Sequence, residues 1–478
     1  MVVEVIKTMN LNTRHHEKWL KKRKLTFIAF SIQLIIIGME YSLTILTLWS
    51  YIKKMITTDT PKLYYGVVSV SYMVASSVLT PVIGRFVDKK RNVNHCFLIC
   101  NMLMLSGNVL YSLPFSPFFL VGGRVIAGFG GALESVIFSE AIRSYPASET
   151  SSKLSILSIM YNLGFMLGPG INIFFKDISF FIGNWHIRDV NFPGLFMGFV
   201  CIAMEILTIT MVYDVSKEFD YKAFAENTAI AGTDDEVYTD CDIKDNEKLP
   251  LVQYKYPNEI KTKTLSINSN KFTIIKILKV LFLRFDSALV MFSNFFLSFF
   301  IINTDTWLPL LVFEKLHLSM IELNICFLGA SSFSGFSLLL FIWRPFSDKK
   351  MILVLLISLG GFCTVGTSFI ILSNYSNFKV LNLILCLVYI FSFGGAPIII
   401  DVFFVSTLAK MVNSSNLTFV DSIRYSMCTA GAFLAFICSP FTFDYVEVFG
   451  TLYAAVMITI GILFVVRKNN FINVKLLF

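Results

Sequence analysis

Four ionisable residues lie deep inside long apolar runs: Glu40, Arg124, Glu134 and Asp401. Each run is long enough to be a bilayer-crossing helix. There an ionised side chain costs about 2.5–3.5 kcal/mol at mid-depth, so it is expected to face a partner or a water-filled path. Carboxylates and a guanidinium in that setting suit proton exchange or the holding of a solute. Glu40 sits about 22 Å from one end of its run, and Arg124 about 10 Å from the opposite end of a run crossing the other way. Their depths nearly coincide, which predicts a Glu40–Arg124 pair. Proton or solute arrival would compete for that pair. Glu134 and Asp401 are further candidate carboxylates along the same path. Glu140 and Arg143 lie near the end of their run and read as solvated surface, while Arg284, Asp286 and Asp305 mark run ends.

A second charged feature is the stretch GRFVDKKRNVN at 84–94, between two apolar runs. Its basic residues suit a turn held on one side of a bilayer. Asp88, inside the basic run, is expected to cap or pair with a neighbouring helix end. Other chemistry is not supported. No nucleophile, base and orienter occur together, so the chain does not read as an enzyme. No glycine loop for nucleotide is present. Eight of the nine cysteines fall in or at the ends of apolar runs and none has C-x-x-C spacing, so they read as small helix residues, with no metal and no cofactor expected.

The elements that must position these residues follow from composition. Of 478 residues, 55% are apolar and 15% charged, against roughly 25% charged in soluble domains. The mean hydropathy is +0.69. The net charge of +8 sits in short segments between apolar runs, which excludes a nucleic-acid surface. Taking about 20 residues per crossing, spans are expected at 25–49, 64–84, 95–113, 117–142, 151–175, 193–213, 281–303, 320–343, 351–373, 379–404, 421–441 and 449–466. The expected class is an all-α membrane protein of twelve spans. It divides into a tail 1–24 without a cleavable signal pattern, a six-helix bundle 25–213, a central loop 214–280, a second six-helix bundle 281–466 and a tail 467–478.

Lys and Arg concentrate on alternate connections (Arg85, Lys89, Lys90 and Arg91; Arg143 and Lys153; Arg344, Lys349 and Lys350; Lys410 and Arg424), which predicts cytosolic termini. The central loop, polar and poor in aromatics, is expected to be disordered or weakly helical. Its Tyr221-Lys-Ala-Phe224 has the form of a sorting signal for adaptors. Asn374 begins a glycosylation sequon in an expected lumenal connection. Those at Asn413 and Asn416 fall on the cytosolic side and would go unused.

The halves echo each other. FVDKK at 86–90 recurs as FSDKK at 346–350, bringing Asp348 and Lys349 to the place of Asp88 and Lys89. FGGA at 129–132 recurs at 393–396. Two parallel repeats about an axis along the membrane normal are an architecture of transporters.

These residues resemble the major facilitator superfamily. Its loop motif G-x-x-x-D-[RK]-x-G-[RK]-[RK] is matched by Gly84, Asp88 and Lys89, but Arg91 stands where the family has glycine. Its span-four R-x-x-x-G-x-G is matched by Arg124, Gly128 and Gly130. Its span-five G-x-x-x-G-P-x-x-G is matched by Gly164, Gly168 and Pro169, with Asn172 in place of the last glycine. The stretches 149–172 and 40–52 are also similar to the lysosomal, ceroid-lipofuscinosis-associated branch. The resemblance implies that Asp88 holds one conformer of a carrier and that the protein resides in an endolysosomal membrane. Gly128, Gly130, Gly131, Gly164 and Gly168 are expected to allow close helix packing, and Pro169 a bend.

The leading reading is a secondary transporter of a small solute, working by alternating access and coupled to protons. An anion channel on the same fold and a non-transporting scaffold acting through the central loop are the alternatives. Saturable counter-transport separates carrier from channel. Loop deletion with transport retained weakens the scaffold.

Overall fold

A computed structural model describes residues 2–224, 274–314 and 400–472, except 57, 58, 60, 176, 177, 443 and 444, with isolated helical positions between 332 and 360. The motif echo at Asp348 and Lys349, its partner FGGA at 393–396 and the sequon at Asn374 lie outside the described residues.

The first half is helical, with one hairpin. Helix α1 (Val2–Met55) runs unbroken through the expected tail and first span. It is followed by α2 (Pro61–Lys90), α3 (Val93–Tyr111), α4 (Pro117–Gly130), α5 (Leu133–Ser144) and α6 (Ala147–Ile173). The expected fourth span is thus two helices. The break falls at Gly131 and Ala132, where the FGGA sequence weakens helix propensity. Helix α4 opens on Ser116, whose side chain accepts from the Phe118 amide, with Pro117 at the first helical position.

Strands β1 (Ser179–Ile182) and β2 (Trp185–Arg188) form an antiparallel hairpin that an all-helical reading omits. Gly183, at φ +60°, opens its two-residue turn. The Trp185 indole donates to Ser112 O at 2.9 Å, which ties the hairpin to the end of α3. Helix α7 (Phe192–Met211) completes this half, and α8 (Val215–Glu218) begins the expected central loop.

In the second half, α9 (Ile274–Leu283) and α10 (Phe285–Glu314) replace the expected span 281–303. The Ser287 hydroxyl donates to Leu281 O at 2.8 Å and Arg284 O at 3.0 Å, which satisfies carbonyls freed at the break. A helix covers 400–411, followed by α11 (Leu417–Thr442), α12 (Val446–Val466) and α13 (Lys468–Ile472). Among the described residues, seven helices have the length and apolarity to cross a membrane.

Lipid offers no hydrophobic drive for helix pairing, so close backbone approach does that work. A Cβ at Gly164 of α6 would lie 2.0 Å from Ile35 O of α1, and one at Gly38 of α1 2.2 Å from Tyr161 O of α6. Helices α10 and α11 meet the same way, at Gly431 against Phe295 O. Phe30, Leu34, Phe97 and Met104 centre the first core, and Val290, Leu355, Phe404 and Phe464 the second. Val402, Val405, Ala409 and Leu417 cross over to pack in the first core, so the halves share apolar packing at one end.

Candidate functional site

Glu40 and Arg124 meet. Helix α1 carries Glu40 into the first half, and α4, entering from its Ser116 cap, brings Arg124 to the same depth. Arg124 Nη1 lies 2.9 Å from Glu40 Oε1. Asn108 of α3 donates to Glu40 Oε2 at 2.6 Å. The guanidinium lies over the Tyr72 ring at 4.5 Å from its centroid. Glu40 is fully buried and Arg124 is 3% exposed. A buried charge pair with its lone pairs and N–H groups hydrogen-bonded is the arrangement low dielectric permits.

A second group lies where α5, the 400–411 helix and α11 converge. Arg424 donates from Nη1 to Asp401 at 2.7 Å and from Nε to Asp421 at 2.7 Å. Glu134 neighbours all three. It makes no hydrogen bond or salt bridge among the described residues and is half-buried. Asp401 keeps 33% of its side chain exposed although its helix packs inside the molecule. Tyr72, Tyr161 and Tyr425 stand close to Glu134. Sequence reasoning found Glu134 and Asp401 but placed Arg424 among connection charges. It is buried in α11, about two turns inside the helix. The i, i+3 spacing of Asp421 and Arg424 was the available signal.

The third group joins the halves. The Asp88 carboxylate accepts from the Thr418 amide at 3.0 Å and the Phe419 amide at 2.8 Å. These are orphan donors in the first turn of α11, where the helix dipole also favours an anion. Arg143 binds Asp88 and donates to Thr418 Oγ1 and to Ser414 O, each at 2.6 Å. Arg143 and Glu140 are buried, not solvated as expected; Glu140 accepts from the Ser216 amide at 3.0 Å and hydroxyl at 2.9 Å. For Arg143 the reason is the partner half, 271 residues along the chain, and for Glu140 the segment after α7; both cover a helix end that looks terminal in sequence.

Arg91, in the family's glycine position, adopts φ +53°. Its Nη2 donates to Ser414 O at 3.1 Å and its Nη1 pairs with Asp220 at 3.2 Å. Arg85 reaches Asn416 Oδ1 at 2.7 Å. Higher in the contact, Ser135 bonds Ser422 at 3.0 Å, and a Cβ on Gly84 would lie 2.1 Å from Ser422 Oγ. Lys89 is exposed.

Residues 214–224, expected to be loose, are instead docked. Asp214 accepts from the Asn94 amide at 3.0 Å, Ser414 donates to Asp220 at 2.5 Å, and Lys222 donates to Ala409 O at 2.6 Å. Tyr221 packs on Trp19 and Phe219 rather than standing free as a sorting signal. Asn416 is 8% exposed and hydrogen-bonded, which leaves no room for a glycan.

The remaining residues pack helices. Cβ atoms on Gly128 and Gly131 would strike Tyr72, on Gly130 Cys100 O, and on Gly168 Ser42. Pro169 lies within α6, which continues past it to Ile173. Among the described residues, no group of three His, Cys, Asp or Glu side chains could hold a metal ion.

Two solved structures are similar to this fold. The human organic anion transporter MFSD10 (TETRAN) is 12% identical, with a TM-score of 0.63, covering 92% of this chain and 99% of its own. The proton:xylose symporter XylE is 14% identical, with a TM-score of 0.58, covering 94% of this chain and 95% of its own. The sequence pattern of the Major Facilitator Superfamily matches residues 27–436. Taken with the helical bundles and the Asp88 contact, that match over most of the length means that the chain belongs to the Major Facilitator Superfamily.

Proposed function

We propose that this protein is a secondary active transporter. It moves a small solute between the two six-helix halves, 25–213 and 281–466, by alternating access, coupled to protons, with both termini cytosolic. The observation that carries the reading is the Asp88–Arg143–α11 contact. It binds the halves together through polar groups at one end, while Glu134 and Asp401 remain partly open above it. Alternating access needs a closure that can be made and broken as a unit. Hydrogen bonds from helix amides to one carboxylate suit that, because separation exposes each partner to water. Glu40–Arg124 is assigned to proton coupling: protonation of Glu40 releases Arg124. The stretches 149–172 and 40–52 support an endolysosomal membrane.

The test compares metabolites in purified organelles with and without the protein, then measures the accumulating solute in proteoliposomes. A saturable flux that is accelerated by solute on the opposite side is expected. A current that does not saturate would sink the carrier reading.

A further inference from the structure

We propose that the partly exposed group around Glu134 and Asp401 binds an organic cation, a small solute bearing an ammonium group. The proposal rests on the carrier reading and names its substrate class.

Charge decides first. Arg424, the guanidinium in this group, already has Nε and Nη1 committed to Asp421 and Asp401, both at 2.7 Å. Glu134 adds a further carboxylate that nothing described here binds. Three carboxylates therefore stand against one guanidinium. The neighbouring Glu40–Arg124 pair is self-neutral and closed by Asn108. An anionic solute would find Arg424 occupied and Glu134 repelling it. A cation would find Glu134 unmatched and Asp401 one-third exposed. In a partly dry site that difference is worth several-fold more than at a surface.

The walls agree independently. Tyr161 and Tyr425 stand about Glu134, while the Tyr72 ring already carries the Arg124 guanidinium and offers only its hydroxyl. Aromatic faces attract alkylammonium groups without needing hydrogen-bond direction. The Tyr72 hydroxyl is a second pointer. Tyr72 is 5% exposed, and its oxygen has no hydrogen-bond partner. That oxygen would lie 2.5 Å from a Cβ at Gly131, three positions before Glu134. A buried phenol without a partner is costly. The N–H of an ammonium group could donate to it.

The experiment uses the full-length protein in nanodiscs, with methylammonium, which has N–H groups to donate to Tyr72, and tetramethylammonium as probes and methanesulfonate as the anion of comparable size. The quaternary ion carries no titrating proton, so pH trapping does not imitate its binding. Saturable thermal stabilisation by at least one ammonium ion, and none by the sulfonate, is expected. Glu134→Gln weakens the apparent affinity about tenfold. Tyr161→Leu weakens it by several-fold, while Tyr161→Phe, which keeps the ring face, stays near wild type; this pair serves if Glu134→Gln does not fold. Stabilisation by the sulfonate, or by neither ammonium ion, overturns the proposal, as does indifference to both Glu134→Gln and Tyr161→Leu. Response to pH alone, with no response to the ammonium ions, marks Glu134 as a proton site and also overturns it. Ammonium binding without saturable uptake in proteoliposomes refutes the carrier reading and leaves the cation site standing. Saturable uptake of another solute, unaffected by either ammonium ion, does the reverse.

Discussion

Arg91 holds a conformation that costs a side-chain-bearing residue about 1–2 kcal/mol relative to glycine. Two ties to the opposite half and the linker offset that cost: Ser414 and Asp220. The terms can be separated. Arg91→Ala keeps the strained backbone and loses both ties, so it is the least stable variant. Arg91→Gly loses the ties but relieves the backbone, and its thermal midpoint is expected above that of Arg91→Ala by the equivalent of about 1 kcal/mol. Glu40 behaves differently. Glu40→Gln leaves Arg124 buried beside a neutral amide, a loss of about 3–5 kcal/mol when a buried pair is broken. It is expected to lower the thermal midpoint and to flatten the pH dependence of transport. Unchanged pH dependence would remove Glu40 from coupling. The meeting of Glu40 and Arg124 is legible from helix rise alone, because counting from the span ends brings both to nearly the same depth. Glu140, Arg143 and Arg424 were misread because they lie near span ends, where distance along the sequence says nothing of what a distant half covers.

Helices were legible by length and apolarity, and their interruptions only in part. The α4–α5 break at FGGA falls within an apolar stretch whose hydropathy does not change, whereas the α9–α10 break falls at Arg284 and Asp286, charges that the sequence places at a run end. The hairpin is not legible because its strands, SFFI at 179–182 and WHIR at 185–188, are four residues each and sit in a short connection between spans. Glycine positions can be ranked by what faces them. Gly164→Val is expected to abolish folded protein, since even a Cβ would meet Ile35 O at 2.0 Å. Gly66→Ala, with nothing within 4 Å, is expected to express and purify as wild type. Size-exclusion profiles of the two variants check both expectations.

Membership of a two-half family could be read from motifs, and so could a helix-end partner for Asp88, but which helix could not, since Asp88 and Thr418 are 330 residues apart. Asp88→Asn removes the charge from the first turn of α11 and from Arg143. The closed end is then expected to open more often. With Ser77→Cys as a reporter beside Ser426, alkylation should run several-fold faster in Asp88→Asn than in its parent. Equal rates would show that Asp88 does not hold the halves. The docked segment 214–224 bears on the same equilibrium. It follows α7 of the first half with no intervening slack, yet Asp220 and Lys222 engage Ser414 and Ala409 of the second. It is expected to behave as a tethered ligand for the contact between the halves, at an effective concentration of about millimolar. A free peptide of the same sequence must reach that concentration to compete. The stretch of chain that joins the halves therefore also adjusts how long they stay together.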